Sequence, residues 1–172
     1  VGVDLGSFAI ACDISPADRD VGSRVHEYGG GGYAVAADGR IVIGDRKEQG
    51  IWLREPEGSW RRLGGTVGCR YADFAFDPAG PGLFAVREDA GLDGTRAAAP
   101  IASLVWFGDD GTECVVASGS DFYAAPRPSP DGTWLAWYEW NHPDMPWDAT
   151  VLKLASIHRD GPQAPCLDVP SL

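Results

Sequence analysis

Residues 123–157 read YAAPRPSPDGTWLAWYEWNHPDMPWDATVLKLASI, and this stretch decides the fold. The segment PSPDG at 128–132 has the composition of a tight turn, because proline presets φ, aspartate bonds its own backbone and glycine takes positive φ. Residues 134–138, WLAWY, are apolar at every position, which is typical of a strand buried on both faces. After a longer loop, TVLKLA at 150–155 is a further strand. The stretch therefore predicts most of one four-stranded antiparallel sheet.

A strand buried on both faces needs a cover on each side of its sheet. A sheet with one solvent-exposed face alternates apolar and polar residues, and residues 134–138 do not. The chain contains no helical pattern that would supply the cover, so we expect other sheets to do so. A β-propeller meets this need, because each of its blades packs between two others.

The same strand–turn–strand unit recurs along the chain. Its turn glycines are Gly39, Gly80 and Gly132, and their spacing of about 40 to 50 residues is that of propeller blades. We therefore predict an all-β fold, a β-propeller fragment of about three four-stranded antiparallel blades. The predicted blades lie near residues 28–65, 70–119 and 121–172.

The propeller is placed at residues 24–172, after an N-terminal region at 1–23. In that region, apolar residues at 3–12 predict the strand of a preceding blade, and the polar, proline-containing stretch 15–23 predicts a linker. Three blades do not close a ring, because propellers typically have about four to eight. We therefore expect part of a larger ring, or self-association through open blade faces, since exposed apolar patches usually mark interfaces.

The composition argues against several classes of partner. A formal net charge of −11 disfavours a nucleic-acid or anionic-membrane surface, both of which require lysine and arginine. The longest apolar runs have the length of strands, so we expect no membrane span, no signal peptide and a cytoplasmic location. The four cysteines lie far apart without a CxxC pair, so we predict buried reduced thiols, no metal site and no cofactor.

Residues 24–33, RVHEYGGGGY, allow two interpretations. Four consecutive glycines lose much backbone entropy on folding and therefore need a reason. Either their backbone closely approaches a ligand or a second domain, or they lead into the innermost strand of a blade, where converging strands crowd side chains. A phosphate loop is excluded, because its lysine and the following helix are missing. His26 and Glu27 would suit an acid–base pair or metal ligands, but no second histidine lies nearby in the sequence.

Several motifs together resemble one protein family. In chain order they are RVHEYGGG (24–31), RYADF (70–74), AVRED (85–89), DFYAAPR (121–127), SPDG (129–132) and NHPDMPWD (141–148). They are similar to the propeller domain of the prolyl oligopeptidase family of serine peptidases, above all its acylaminoacyl-peptidase-like and dipeptidyl-peptidase-like bacterial members. The resemblance covers residues 24–157 and departs at 91–99, which look like an insertion.

The resemblance implies that this chain is the non-catalytic part of a serine peptidase, a hydrolase. Members of the family join the propeller to an α/β-hydrolase domain, whose nucleophilic serine lies in a G-x-S-x-G elbow. No such motif occurs in this chain, so no catalytic residue is assigned to it. The propeller of such peptidases filters substrates by size and binds a peptide terminus. A peptide substrate and a hydrolase domain are therefore the expected partners.

Propeller geometry indicates where such a site would lie. Because neighbouring strands run in opposite directions, the loops between second and third strands and the connections between blades meet at one end. These loops are 45–50, 87–99, 141–148, 64–70 and 118–121. We expect that end to meet the substrate or the catalytic domain, since function is concentrated in loops on a rigid scaffold. The alternative is an ordinary solvated surface.

Arginine and glutamate suit the binding of a peptide terminus, because arginine pairs with a carboxylate and glutamate with an ammonium group. An exposed tryptophan is typical of interfaces. The substrate-binding or domain-interface candidates are Arg24, Glu27, Arg70, Arg87, Glu88, Arg127, His142 and Trp147. For each charged residue the alternative is a salt bridge within or between blades.

Two other functions are compatible with the sequence. One is a non-enzymatic scaffold for protein interactions, similar to TolB-type propellers, which would lack a hydrolase sequence in the parent gene. The other is a lactonase-like propeller enzyme, which would hold a divalent ion among Glu27, Asp73 and Asp121.

Overall fold

The computed structural model of the chain describes residues 12–91, 100–159 and 164–168. Within these ranges the chain forms twelve strands, and no helix there is long and apolar enough to cross a membrane. The strand predicted at 3–12 and the insertion predicted at 91–99 lie almost wholly outside the described residues.

The strands form three four-stranded antiparallel sheets, so the prediction of an all-β propeller fragment of about three blades is confirmed. The first sheet contains β1 (Tyr33–Val35), β2 (Ile41–Gly44), β3 (Ile51–Arg54) and β4 (Trp60–Gly64). The second contains β5 (Cys69–Phe76), β6 (Gly82–Asp89), β7 (Ile101–Gly108) and β8 (Glu113–Ser118). The third contains β9 (Phe122–Pro128), β10 (Trp134–Trp140), β11 (Val151–His158) and β12 (Cys166–Asp168). In every sheet, strands that are consecutive in the chain are neighbours.

The turn between β9 and β10 shows why its sequence specifies a reversal of the chain. The Ser129 carbonyl accepts a hydrogen bond from the Gly132 N–H at 2.8 Å. Hydrogen bonds from Ser129 and Thr133 lower the pKa of Asp131 to about 2, so this carboxylate stays ionised and holds the turn closed. Gly132 has a φ of 68°, and a side chain there would collide with Ala79 of the second sheet.

The second sheet is buried on both faces. Towards the first sheet it presents the side chains of Leu83, Ala85, Val105 and Phe107, which join one apolar cluster. Towards the third sheet it presents the side chains of Phe84, Val86, Leu104 and Trp106, which join another. All eight are at most 4% exposed. This sheet therefore supplies the cover that the end sheets need on their inner faces.

The third sheet differs from the prediction. Leu135 and Trp137 are buried at 0% and 3% exposure, but Trp134 and Tyr138 on the other face are 41% and 45% exposed. The prediction that residues 134–138 are buried on both faces is wrong, because no described sheet covers the outer face of β10. The alternation of buried and exposed residues along β10 is not visible in the sequence, because apolar and aromatic side chains occupy both faces of the strand. We call the outer side of the third sheet, where Trp134, Tyr138, Leu152 and Leu154 lie exposed, the open face.

The outer face of the first sheet is partly covered by residues 15–23, the predicted linker. The Arg19 guanidinium lies 4.0 Å from the centroid of the Trp52 ring and pairs with Asp45 at 3.2 Å and Glu48 at 2.5 Å. Val21 forms an isolated β-bridge with Asp45. The segment is therefore held by a cation–π contact and ion pairs rather than by apolar burial.

The cysteines are only partly as predicted. All four have free thiols, but Cys69 alone is buried, while Cys12 and Cys166 are exposed and Cys114 is half-buried. The expectation of four buried thiols is wrong because β12 is an edge strand and Cys12 precedes the first sheet.

A buried ion pair joins the second and third sheets near the turns between first and second strands. Arg159 Nη2 donates to Asp77 Oδ1 at 2.7 Å and Oδ2 at 2.9 Å, and Arg159 Nη1 donates to the Gly132 carbonyl at 2.7 Å. The indole N–H of Trp106 donates to Asp77 Oδ2 at 3.2 Å. The carboxylate of Asp77 thus accepts hydrogen bonds from both sheets, and its side chain is fully buried.

Two leucines test which faces are covered. Leu104 is fully buried in the second sheet, whereas Leu152 is 64% exposed on the open face. We expect Leu104→Ala to lower the free energy of unfolding by about 3 kcal/mol, because it leaves a cavity between sheets. Leu152→Ala should lower it by less than about 1 kcal/mol. Urea unfolding followed by circular dichroism measures both, and equal losses would contradict the burial described above.

The inter-sheet ion pair gives a second stability prediction. Asp77→Ala should lower the free energy of unfolding by about 2 to 4 kcal/mol, because it leaves Arg159 Nη2 and the Trp106 N–H without their acceptor in a mostly buried site. The matched control is Asp144→Asn on the exposed loop 141–149, which should stay within about 0.5 kcal/mol of the parent. Denaturant titration measures the free energy of unfolding of both variants. If Asp77→Ala lowers it as little as the control does, the ion pair does not join the sheets.

Candidate functional site

The loops between second and third strands lie at one end of the sheets, together with the connections between sheets. In the second sheet, Cys69 at the start of β5 pairs with Asp89 at the end of β6, which pairs with Ile101 at the start of β7. In the third sheet, Asp121 immediately precedes β9 and Asn141 immediately follows β10. The Asp121 N–H donates to Asn141 Oδ1 at 2.8 Å. We call this side of the molecule the loop end.

Four of the predicted residues converge at the loop end. Arg70 Nη1 donates to Glu27 Oε1 at 2.5 Å and to the Arg24 carbonyl at 3.0 Å, and it lies 3.9 Å from Glu88 Oε2. The side chains of Arg70 and Glu88 are 14% and 2% exposed, whereas that of Glu27 is 67% exposed. Arg70 therefore links a buried carboxylate to a carboxylate that faces solvent.

The backbone at 24–29 is held in an unusual conformation that positions Glu27. His26 and Glu27 have positive φ values of 57° and 63°, which cost about 1 to 3 kcal/mol each in residues other than glycine. Buried Val25 anchors the segment, and its carbonyl accepts the Gly29 N–H at 2.8 Å. The His26 N–H donates to the Glu88 carboxylate at 2.8 Å. These contacts offset the strain and keep the Glu27 side chain turned outward.

Asp73 explains the glycine run. Its Oδ1 accepts the Gly31 N–H at 2.5 Å, and its Oδ2 accepts the Ala125 N–H at 2.8 Å. A Cβ at Gly30 would come within 2.8 Å of Asp73 Oδ1 and 2.9 Å of the Ala72 Cβ. Of the two interpretations of the run, these contacts agree with crowding among the innermost strands.

The imidazole of His26 is packed among aromatic rings. Its side chain is 6% exposed, and its ring centroid lies 5.1 Å from that of Trp140, 5.6 Å from that of Tyr28 and 5.8 Å from that of Phe122. Burial lowers the pKa of His26, although the charge of Asp73 and a hydrogen bond to the Tyr123 backbone oppose the shift. The ring is therefore neutral at neutral pH.

Arg87 and Arg127 lie apart from this cluster. Arg87 faces the first sheet and pairs with Glu113 at 2.8 Å, and the other oxygen of Glu113 accepts the Tyr71 hydroxyl at 3.0 Å. Burial raises the pKa of Tyr71, which remains a neutral donor in this network. Arg127 is exposed near the end of β9 and donates to the Pro126 carbonyl at 2.9 Å. Arg87 thus forms a salt bridge within its own sheet, which is the alternative given above for each charged candidate. Arg127 lies away from the loop end.

The loop 141–149 carries the two remaining candidates. The His142 N–H donates to Asp121 Oδ2 at 2.9 Å, and its ring centroid lies 4.8 Å from that of Phe122. Trp147 is 74% exposed, and Met145 beside it is 38% exposed. The base of the loop is therefore fixed to the third sheet, while its tip presents a large apolar side chain to solvent.

Sequence reasoning missed a cavity of about 450 Å³ beside the loop end. Its lining includes His26, Tyr28, Gly29, Gly30, Asp73, Ala124, Tyr138, Trp140, Pro146 and Thr150. Tyr28 and Asp73 lie inside motifs that were identified, but Tyr138 was interpreted as strand core and Trp140 was not singled out. No group of three or more histidine, cysteine, aspartate or glutamate side chains in the described ranges is arranged to hold a metal ion.

Several solved structures are similar to this chain. No family model matches the chain, and no curated protein does. Among solved structures, a puromycin-hydrolyzing peptidase of Mycobacterium tuberculosis is 32% identical, with a TM-score of 0.71 over 90% of this chain. A puromycin hydrolase is 28% identical with a TM-score of 0.73 over 91% of this chain. A mutant of a puromycin hydrolase, also 28% identical over 90% of this chain, was solved in complex with PGG.

The chain spans about a quarter of these peptidases, 26% of the length of each. Their similarity extends over about 90% of this chain, well beyond the short turn motifs that many propellers share. The resemblance of this chain to the propeller domain of the prolyl oligopeptidase family of peptidases is therefore confirmed.

Proposed function

We propose that this chain is the non-catalytic propeller portion of a prolyl oligopeptidase-like serine peptidase, which orients and gates peptide substrates for an α/β-hydrolase domain. The observation that carries the proposal is the loop end, where Arg70 holds the exposed carboxylate of Glu27 in a fixed position. The nucleophilic serine belongs to the hydrolase domain in this proposal, and the chain contributes binding and access. The similarity to puromycin-hydrolyzing peptidases supports the same assignment.

The displayed carboxylate suits the amino terminus of a peptide. The Glu27 side chain is 67% exposed and is held by Arg70, so an ammonium group of a ligand can reach its carboxylate from solvent. Because the segment 24–29 is fixed by Val25 and by the bond from the His26 N–H to Glu88, the carboxylate loses little further freedom on binding. The contact would orient one end of the substrate relative to the catalytic domain.

The loop 141–149 suits contact with the hydrolase domain. Trp147 is 74% exposed at the tip of a loop whose base is anchored through Asp121. Tryptophan is among the residues that dominate binding energy when they are buried at interfaces. A hydrolase domain that covers Trp147 would also close the loop end. In the proposed function, this closure gates the access of peptide substrates.

Substitution of Glu27 in the complete peptidase that contains this chain tests the proposed binding role. Glu27→Gln should raise KM for peptides with a free amino terminus by about two- to fivefold, the range expected for one exposed ion pair, with kcat little changed. The matched control is Glu57→Gln in the β3–β4 turn at the opposite end of the first sheet, which should change neither constant.

Steady-state kinetics with paired substrates separates the outcomes. The KM for N-acetylated versions of the same peptides should be insensitive to Glu27→Gln, because they carry no ammonium group. If KM rises equally for free and acetylated peptides, or does not rise at all, Glu27 does not bind the amino terminus.

A further inference from the structure

We propose that Arg24 and Arg46 form a site for the carboxylate at the carboxyl end of a short peptide whose amino end is held at Glu27. The inference deepens the proposed function and rests on it for the placement of the amino terminus. The substrate class that it names is peptides of about two to four residues with both termini unblocked.

The two arginines border a small cavity between the first and second sheets. Its described lining comes from residues 22–24, from residues 44–50 of the first sheet and from the start of β5. The volume of about 10 Å³ has room for about one group of the size of a water molecule, and one carboxylate oxygen has that size. Both sheets that flank the cavity are described, so its walls are fixed without any further blade.

The lining carries more positive than negative charge. Arg24, Arg46 and Arg70 contribute three guanidinium groups, and Asp45 is the one carboxylate among the described lining residues. Asp45 already pairs with Arg19 at 3.2 Å. Because guanidinium groups around one small cavity repel one another, an anion between them is stabilised.

Arg24 and Arg46 are accessible to such an anion, whereas Arg70 is already held by two carboxylates. Arg24 is exposed, and its guanidinium has no ion-pair partner in the described part of the chain. The side chain of Arg46 is 50% exposed, and its guanidinium lies 3.9 Å from Asp20 Oδ1. The same guanidinium packs against the backbone at Gly22, two residues before Arg24. A ligand carboxylate therefore meets two weakly engaged guanidinium groups.

Arg24 lies beside Glu27 because both belong to one turn. The Glu27 N–H donates to the Arg24 carbonyl at 3.0 Å, so the two residues are the first and fourth of a β-turn. Such a turn brings its end Cα atoms within about 7 Å, and an extended peptide spans about 3.3 to 3.6 Å per residue. A peptide of about two to four residues thus reaches both side chains with its two termini.

Inhibition of the complete peptidase that contains this chain tests the carboxylate site. The probe is trialanine with a free carboxylate, its control is trialanine amide, and both inhibition constants are measured against a chromogenic aminoacyl substrate. Arg24→Gln should raise the constant of the free acid about two- to fivefold, the range expected for one exposed ion pair, and leave that of the amide unchanged. Arg46→Gln should have the same selective effect.

A matched variant and a longer peptide locate the effect. Arg127→Gln replaces an exposed arginine away from the loop end and should change neither inhibition constant. For an alanine peptide of about eight residues, the acid and the amide should inhibit equally, because its carboxyl end extends beyond Arg24 when its amino end is at Glu27. Circular dichroism checks that each variant is folded.

Four results would overturn the inference. They are equal inhibition by trialanine and its amide, equal effects of Arg24→Gln and Arg46→Gln on both peptides, a preference for the acid that persists at eight residues, and no inhibition by trialanine. An equal effect on both peptides would indicate that the arginines contact the hydrolase domain. These tests vary the carboxyl end of the peptide, whereas the Glu27 test varies the amino end, so the carboxylate site and the proposed function fail separately.

Discussion

The burial of the second sheet on both faces is the constraint on which the rest of the structure depends. Phe84, Val86 and Leu104 face the third sheet, while Leu83 and Phe107 face the first, and all are essentially inaccessible to water. Each such side chain stabilises the fold by about 1.5 to 3 kcal/mol relative to an exposed one. Because Arg70 lies near the start of β5 and Glu88 near the end of β6, both residues are carried by the most deeply buried sheet of the described residues.

Some charged residues at the loop end are buried and support the backbone, and others face solvent. Glu88 is a buried carboxylate, and a buried charge is tolerated only when it is paired and hydrogen-bonded. Its partners are the guanidinium of Arg70 and the N–H of His26, so both support the segment 24–29. Glu27 is held by the same guanidinium but faces solvent. Glu88 thus supports the backbone of the segment 24–29, and Glu27 faces solvent, although both side chains are negatively charged. The sequence does not show which of the two is buried.

The sequence allowed the strands and turns to be predicted, because the signals for them are local. Gly39 and Gly132 mark turns by their backbone requirements, and apolar runs mark the strands on either side. The faces of β10 were predicted wrongly, since aromatic residues such as Trp134 and Tyr138 are apolar by composition whether or not a neighbouring sheet covers them.

The candidate site was predictable only in part. Residues in one motif, such as Glu27, could be singled out because a single loop displays them. The cavity brings together positions 28, 73 and 138, which are distant in the chain and meet only when the sheets pack. The pairing of Arg87 with Glu113, 26 positions away, depends on the fold, which places β6 and β8 in one sheet, so the sequence alone does not show it.

The balance of charge at the loop end decides which kind of ligand group it favours. The carboxylates of Glu27, Asp73 and Glu88 lie within a few contacts of one another, and Arg70 already pairs with two of them. Even with Arg24 counted, negative charge is in excess, since His26 is neutral. A peptide carboxylate bound by Arg70 would have to displace Glu27, whereas an ammonium or guanidinium group adds to the network without breaking it. This balance agrees with the proposed binding of a positively charged peptide group at the loop end, where Arg70 holds the carboxylates of Glu27 and Glu88 in place.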